Sequence, residues 1–242
     1  MNPFTPLSFD ERFELFQKGS YVIARDRRGA SAREGEQMAL GSIPPRYRSY
    51  DRANWRGVWP IPEALKSWPT APAGAPPAGA PPADAPPAGA PPTGAPAGKS
   101  MILFLGSQGA GKTHCATALW REAVARWPYG GSWFDALALL DSEKAAIGTG
   151  APSRDTEAAM SRGLLLLDDL GAERGTDYAR EFVSKILRHR HRENYPTILT
   201  SNAPDLAALE GSLDSRVVSR LAECAHVVVL GGPDRRIFGA GN

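Results

Sequence analysis

The sequence predicts an α/β protein. Three layers are expected, with a mainly parallel five-stranded sheet between helices, preceded by a small, mostly helical N-terminal region. Three observations predict it. Beyond residue 99, apolar segments of strand length alternate with segments of helical period. Those strands are apolar throughout instead of alternating, as a sheet covered on both faces requires. The first of them also runs into a glycine-rich loop that opens a helix, "GSQGAGKT" at 106–113.

From the N-terminus, "SFDERFELFQKGSYVI" (8–23) reads as a helix. Ser8 caps it, Glu11 completes a capping box, and Phe13, Leu15 and Phe16 form an apolar stripe. A second short helix is expected over "PEALKSW" (62–68). Residues 1–68 hold few large apolar side chains and make a poor independent core. From Pro69 to Gly98 the chain is almost wholly Ala, Pro and Gly, with Pro-Pro pairs beginning at 76, 81, 86 and 91. Such a stretch has nothing to bury and forms neither ladder nor helix. It reads as an extended spacer of at most roughly 90 Å at ~3.1 Å per residue, or as a ligand for a proline-binding domain. The expected organisation is an N-terminal partner-binding region over 1–68, a flexible linker over 69–99 and a core over 100–242.

Within the core, "SMILFLG" (100–106) is a buried strand and "KTHCATALWREAVARW" (112–127) has helical period. "GSWFDALALL" (131–140) passes from strand into helix, and "GLLLLDD" (163–169) is a strand. "YAREFVSKILRHRHRENY" (178–195) is a helix with Phe182, Ile186 and Leu187 inward. "PTILTSN" (196–202) is a strand, "SRVVSRLAEC" (215–224) a helix and "AHVVVLGG" (225–232) a last strand.

The 242 residues carry a net charge of +2, too near balance for the whole molecule to be a polyanion binder. The charge is uneven. Arg25, Arg27, Arg28, Arg33, Arg46, Arg48, Arg52 and Arg56 crowd the N-terminal part, and "KILRHRHR" (185–192) forms a second cluster. That cluster suits single-stranded DNA phosphates, a solvated helix face or a subunit contact. Cys115 and Cys224 show no metal-ligand spacing and no disulfide framework. With no apolar run near the ~18 residues of a membrane span and no signal-peptide core, a soluble cytoplasmic protein is expected.

"GSQGAGKT" fits G-x-x-x-x-G-K-[ST] at every fixed position, between a strand and a helix. Its backbone N–H groups, from Gly106 through Ser107, Gln108, Gly109, Ala110 and Gly111, cradle phosphate oxygens, helped by the helix N-terminus. Lys112 reaches the β- and γ-phosphates of ATP, and Thr113 offers a hydroxyl to Mg²⁺. "LLLLDD" (164–169) puts two like charges at the tip of a greasy strand, an arrangement a cation relieves. That strand is expected beside the phosphate-loop strand. Asp168 then faces Mg²⁺ across from Thr113, and Asp169 is free to act as general base.

Together these stretches resemble an AAA+ ATPase, a P-loop NTPase, and more narrowly the DnaC/IstB group of helicase loaders and transposition helper ATPases. The resemblance covers most of residues 43–236. It rests on "GSQGAGKTHCATAL", including His114, on "LLLLDDLGAE" as Walker B, and on "PTILTSNAP" as the sensor-1 strand. "SRVVSRLAE" resembles the arginine-finger helix, and "IPPRYRSYDRANW" (43–55) the segment before the core. The resemblance implies that Asn202 orients water and that Arg220 reaches a neighbouring subunit's γ-phosphate, with Arg216 a weaker candidate. It also implies that Arg236, or Arg235, contacts the nucleotide. It implies a homo-oligomer on ATP binding and, as the first reading, a DnaC-like loader acting in DNA replication with a replicative helicase as partner, gripped by the N-terminal region; the alternative is an IstB-like transposition helper with a transposase as partner. Phe13 and Phe16 dock on that partner or pack on the core. The second acid is Asp169 where most AAA+ proteins place Glu. No cysteine-rich zinc module appears near the N-terminus. A reading of another class, a P-loop small-molecule kinase, predicts an arginine-rich lid and no role for Asn202 or Arg220.

Overall fold

The computed structural model describes residues 37, 39–55, 59–62, 65, 67–69, 99–127, 130–149, 151–161, 163–172, 176–232 and 234. The helix expected over 8–23, Arg235 and Arg236 lie outside the described residues. The core runs β1 (Met101–Gly106), α1 (Lys112–Val124), β2 (Gly131–Asp135), α2 (Ala136–Ala145), α3 (Arg154–Met160), β3 (Leu164–Leu170), α4 (Asp177–Arg192), β4 (Thr197–Ser201), a 3₁₀ turn (Ala207–Gly211), α5 (Ser215–Cys224) and β5 (Ala225–Leu230).

The five strands form one sheet in the order β2-β3-β4-β1-β5, and every pairing is parallel. The three-layer reading holds. Alternate residues of β1 feed opposite faces. Met101, Leu103 and Leu105 join the layer of α2, α3, α4 and α5, while Ile102 and Phe104 join the layer under α1. Burying each such side chain contributes roughly 1.5–3 kcal/mol.

One expectation fails. The strand carrying the paired acids does not neighbour β1, because β4 lies between them. Local periodicity marks strands but not their order. The consequence is that β4 brings its own side chains between the phosphate loop and the acids.

Caps explain the helix starts. Asp135 accepts from the N–H groups of Leu137 and Ala138, Ser153 from Thr156, Thr176 from Ala179 and Asp214 from Arg216. Helix α3 was not anticipated. It is fastened to α2 by the buried Glu143 carboxylate, which accepts from Ser153 N–H at 2.9 Å and Thr156 Oγ1 at 2.8 Å.

The segment before the core lies on the α1 face, where Ile43, Ile61, Leu65 and Trp68 are buried with Trp120. Over the expected helix 62–68, the described residues make two successive turns, Leu65 N–H to Pro62 O and Trp68 N–H to Leu65 O. Trp68 Nε1 then donates to Lys99 O at 3.0 Å. The residues that flank the Ala/Pro/Gly stretch, Trp68 and Lys99, are therefore in contact. Among the described residues no helix is long and apolar enough to cross a membrane.

Candidate functional site

The phosphate loop leaves β1 at Gly106, whose φ of 136° and tight fit against the Leu230 carbonyl exclude a side chain. Gly109 is also left-handed at φ 78°, and a Cβ there would push aside the Asp234 carboxylate. Gly111, left-handed at φ 97°, starts α1 with no side-chain cap, unlike the other four α-helices. A helix N-terminus that begins on a glycine loop with no side-chain cap suits an anion. Ser107 and Gln108 are exposed at the loop's crest, and Ala110 is buried beneath it.

Lys112 is buried, and its Nζ donates to Gly106 O (2.9 Å), Ser107 O (2.8 Å) and Asn202 Oδ1 (2.8 Å). Thr113 Oγ1 donates to Asp168 Oδ1 at 3.0 Å. Asp168 is only 2% exposed, and burial pushes its carboxyl from 3.8 up to about 6. Hydrogen bonds from Thr200 and Thr113 pull the other way, while Asp169 and Asp135 add to the rise. Asp169 sits in a β-bulge with a left-handed φ of 62°, a conformation Asp tolerates better than most residues. There its Oδ1 accepts from Asn202 Nδ2 at 2.5 Å. Asn202 therefore joins Lys112 to Asp169.

Thr200 was missed by sequence reasoning. Its Oγ1 donates to Asp168 Oδ1 at 2.6 Å and accepts Asp169 N–H at 2.9 Å. In sequence it is one more β-branched residue of a strand, so periodicity gives no signal.

His114 contributes its backbone to the first turn of α1, but its ring turns away to the segment before the core. It stacks on Tyr50 with centroids 4.6 Å apart, meets Trp55 edge-on at 5.3 Å, and sets Nε2 2.7 Å from Asp51 O. Arg220 is exposed on α5, in a groove with Met101, His191 and Cys224. Met101 begins β1 and the phosphate loop follows its other end, so Arg220 is a strand's length from its own loop. Arg216 lies one turn nearer the start of α5 and is also exposed.

The basic cluster on α4 is smaller than its sequence suggests. Arg190 is 0% exposed and donates to Thr197 Oγ1 and to the carbonyls of Ala159, Ser161, Gly163 and Pro196, each at 2.7 Å. Burial lowers His189 to about 4, so its ring is neutral at pH 7, with Nε2 3.0 Å from Met160 O. Neither side chain is available to a nucleic acid. Lys185 pairs with Glu181 at 3.3 Å, and burial lowers it to about 8.

The donor set suits a nucleotide and a hard cation. A carboxylate beside a hydroxyl offers the oxygen ligands Mg²⁺ prefers, and the open helix end and buried ammonium suit phosphates.

Residues 97–237 match the family described as IstB-like ATP binding protein. An ATP-binding protein of insertion sequence IS5376 from Geobacillus stearothermophilus is 31% identical over 104 residues, 43% of this chain and 41% of that protein. The chain thus spans about two fifths of that relative's length. Among solved structures, the DnaC helicase loader is alike at 30% identity and a TM-score of 0.50, over 55% of this chain and 78% of that one. DnaI is alike at 28% identity and a TM-score of 0.45, over 57% and 75%.

Proposed function

This chain belongs to the IstB-like ATP-binding protein family, and from that premise we propose that it is a Mg²⁺-dependent AAA+ ATPase whose ATP cycle assembles and releases subunits on a DNA-acting partner. The observation that carries the reading is the Asn202 bridge. One amide contacts the loop ammonium through Oδ1 and the second acid through Nδ2. A group so placed senses the γ-phosphate and steers a water toward it. A small-molecule kinase has no use for that link.

The residues divide the work. N–H groups between Ser107 and His114 hold the phosphates, while that of Gly106 donates to Ala203 O at 3.1 Å. Lys112, which now donates to neutral acceptors, exchanges them for anionic oxygens, a stronger bond. Asp169 accepts the proton of the attacking water. Thr113 and Asp168 would hold Mg²⁺, which when bound neutralises charge on the β- and γ-phosphate oxygens. Arg220 stabilises transition-state charge on a neighbour's nucleotide, and Arg236 contacts the chain's own.

Residues 100–242 form the ATPase core and 1–68 the partner grip, joined through 69–99. The partner favoured here is a transposase, because the family match and the insertion-sequence relative both point to transposition. A replicative helicase is the second reading, favoured by the likeness to a helicase loader. Single-stranded DNA is a further partner, and the cytoplasm is the setting.

The test mixes two inactive variants. Lys112→Ala should lose nucleotide binding, and Arg220→Ala should bind ATP without hydrolysing it. Mixed assemblies rebuild sites with a good loop and a good finger, so activity should reappear above either alone. An Arg220→Ala variant that is fully active by itself would overturn the shared site.

A further inference from the structure

We propose that Thr200 is a positioning residue that sets the two aspartates in their separate roles, an inference that rests on the hydrolytic reading above. The pairing of β3 with β4 shows how. Leu167 faces Leu199 and Leu170 faces Ser201, with a register shift between them. Two residues of β3, Asp168 and Asp169, therefore lie opposite one residue of β4, and that residue is Thr200. A bulge takes its extra residue out of the ladder. Thr200 supplies a side-chain acceptor for it, taking the Asp169 N–H on Oγ1 at 2.9 Å.

A hydroxyl has one proton to give. Thr200 gives it to Asp168 Oδ1 at 2.6 Å, the shorter of the two bonds. The same oxygen thus orients the carboxylate that faces Thr113 and holds the backbone of the acid that faces Asn202. Thr200 is 1% exposed, so water cannot take over either bond. The geometry forms one chain of contacts, Thr113 to Asp168 to Thr200 to Asp169 to Asn202 to Lys112. Thr200 is the third of its six members, stands between the two acids and touches both. Through Asp168 it holds the ion site, and through Asp169 it aims the base.

The experiment compares Thr200→Val, Thr200→Ala and Thr200→Ser with the full chain. Outer-shell partners of metal-ligating groups are worth roughly 10–100-fold in metal affinity or activity. Val and Ala should lose that much in kcat, and Mn²⁺ affinity for the nucleotide complex, read by electron paramagnetic resonance, should fall similarly. Affinity for a fluorescent ATP analogue without metal should fall by much less than the roughly 10–100-fold expected for the metal. Ser, which keeps the hydroxyl and drops the methyl, should restore both readouts. Wild-type kcat and Mn²⁺ affinity in Val or Ala would overturn the proposal, as would a Ser variant as impaired as Ala. If Val does not fold, the Ser and Ala pair decides. If the wild-type chain turns over no faster than Lys112→Ala, the hydrolytic reading fails by itself, and the Mn²⁺ readout still decides Thr200.

Discussion

Replacing Asp168 with asparagine should make the nucleotide-free chain more stable at pH 8 while ruining its ion site. Asp168 is raised from 3.8 to about 6, so the folded chain takes up a proton where the unfolded chain has already lost it. Stability contributed by this group is therefore present at low pH and falls as pH climbs from about 4 through about 6. At about 1.4 kcal/mol per unit, the ionised carboxylate costs on the order of 3 kcal/mol at pH 8. Asparagine removes that cost. It keeps one acceptor for Thr200 and turns its amide to Thr113, giving back about 1 kcal/mol through poorer hydrogen bonds. The net gain is about 1–2 kcal/mol, or roughly 2–8 °C in Tm for a chain of this size. Thermal denaturation of both proteins from pH 4 to 8 without nucleotide is the assay. The variant should melt higher at pH 8, with the gap closing toward pH 4. Adding ATP with Mg²⁺ should raise the wild type more than the variant. A wild type that melts higher at pH 8, or a gap that ignores pH, would refute the reasoning.

Two further outcomes follow from the same structure. Asp169→Asn should keep ATP bound but slow turnover about 10²-fold or more, the scale of a lost general base; a normal rate in a steady-state phosphate-release assay rules Asp169 out. Arg190→Ala removes five hydrogen bonds, to Thr197 Oγ1 and to four carbonyls, and should cost about 4 kcal/mol or more in urea unfolding, a loss below about 1 kcal/mol contradicting its role as a clasp.

Much of the site is readable from residue types alone. Gly106 to Thr113 and Asp168 carry their chemistry in their spacing, because a phosphate needs backbone amides and a cation needs a carboxylate at a strand tip, whereas Asn202 is reached only through the resemblance to the DnaC/IstB group. What escaped the sequence depends on which strands touch. The order of the sheet is not encoded in any one strand's periodicity, so β4 was not expected between β1 and β3. Thr200 gained a second role only from that order. Arg190 left a faint trace: it continues the four-residue stripe of Phe182 and Ile186, which are inward. A charge on an apolar stripe signals a buried clasp as readily as a solvated face. Helix α3 was missed because its seven residues are too few for a period to show.

The contact between Trp68 Nε1 and Lys99 O joins residues 31 positions apart. Closing a detour of that size has an entropy that grows only with the logarithm of its length, and doubling it costs only about 0.6 kcal/mol. The core is therefore nearly blind to how many Ala, Pro and Gly residues the detour contains. Repeats can be gained or lost there without retuning a single contact in the sheet. By this logarithm, a stretch with pairs of prolines every five residues can change its length at little cost to the fold.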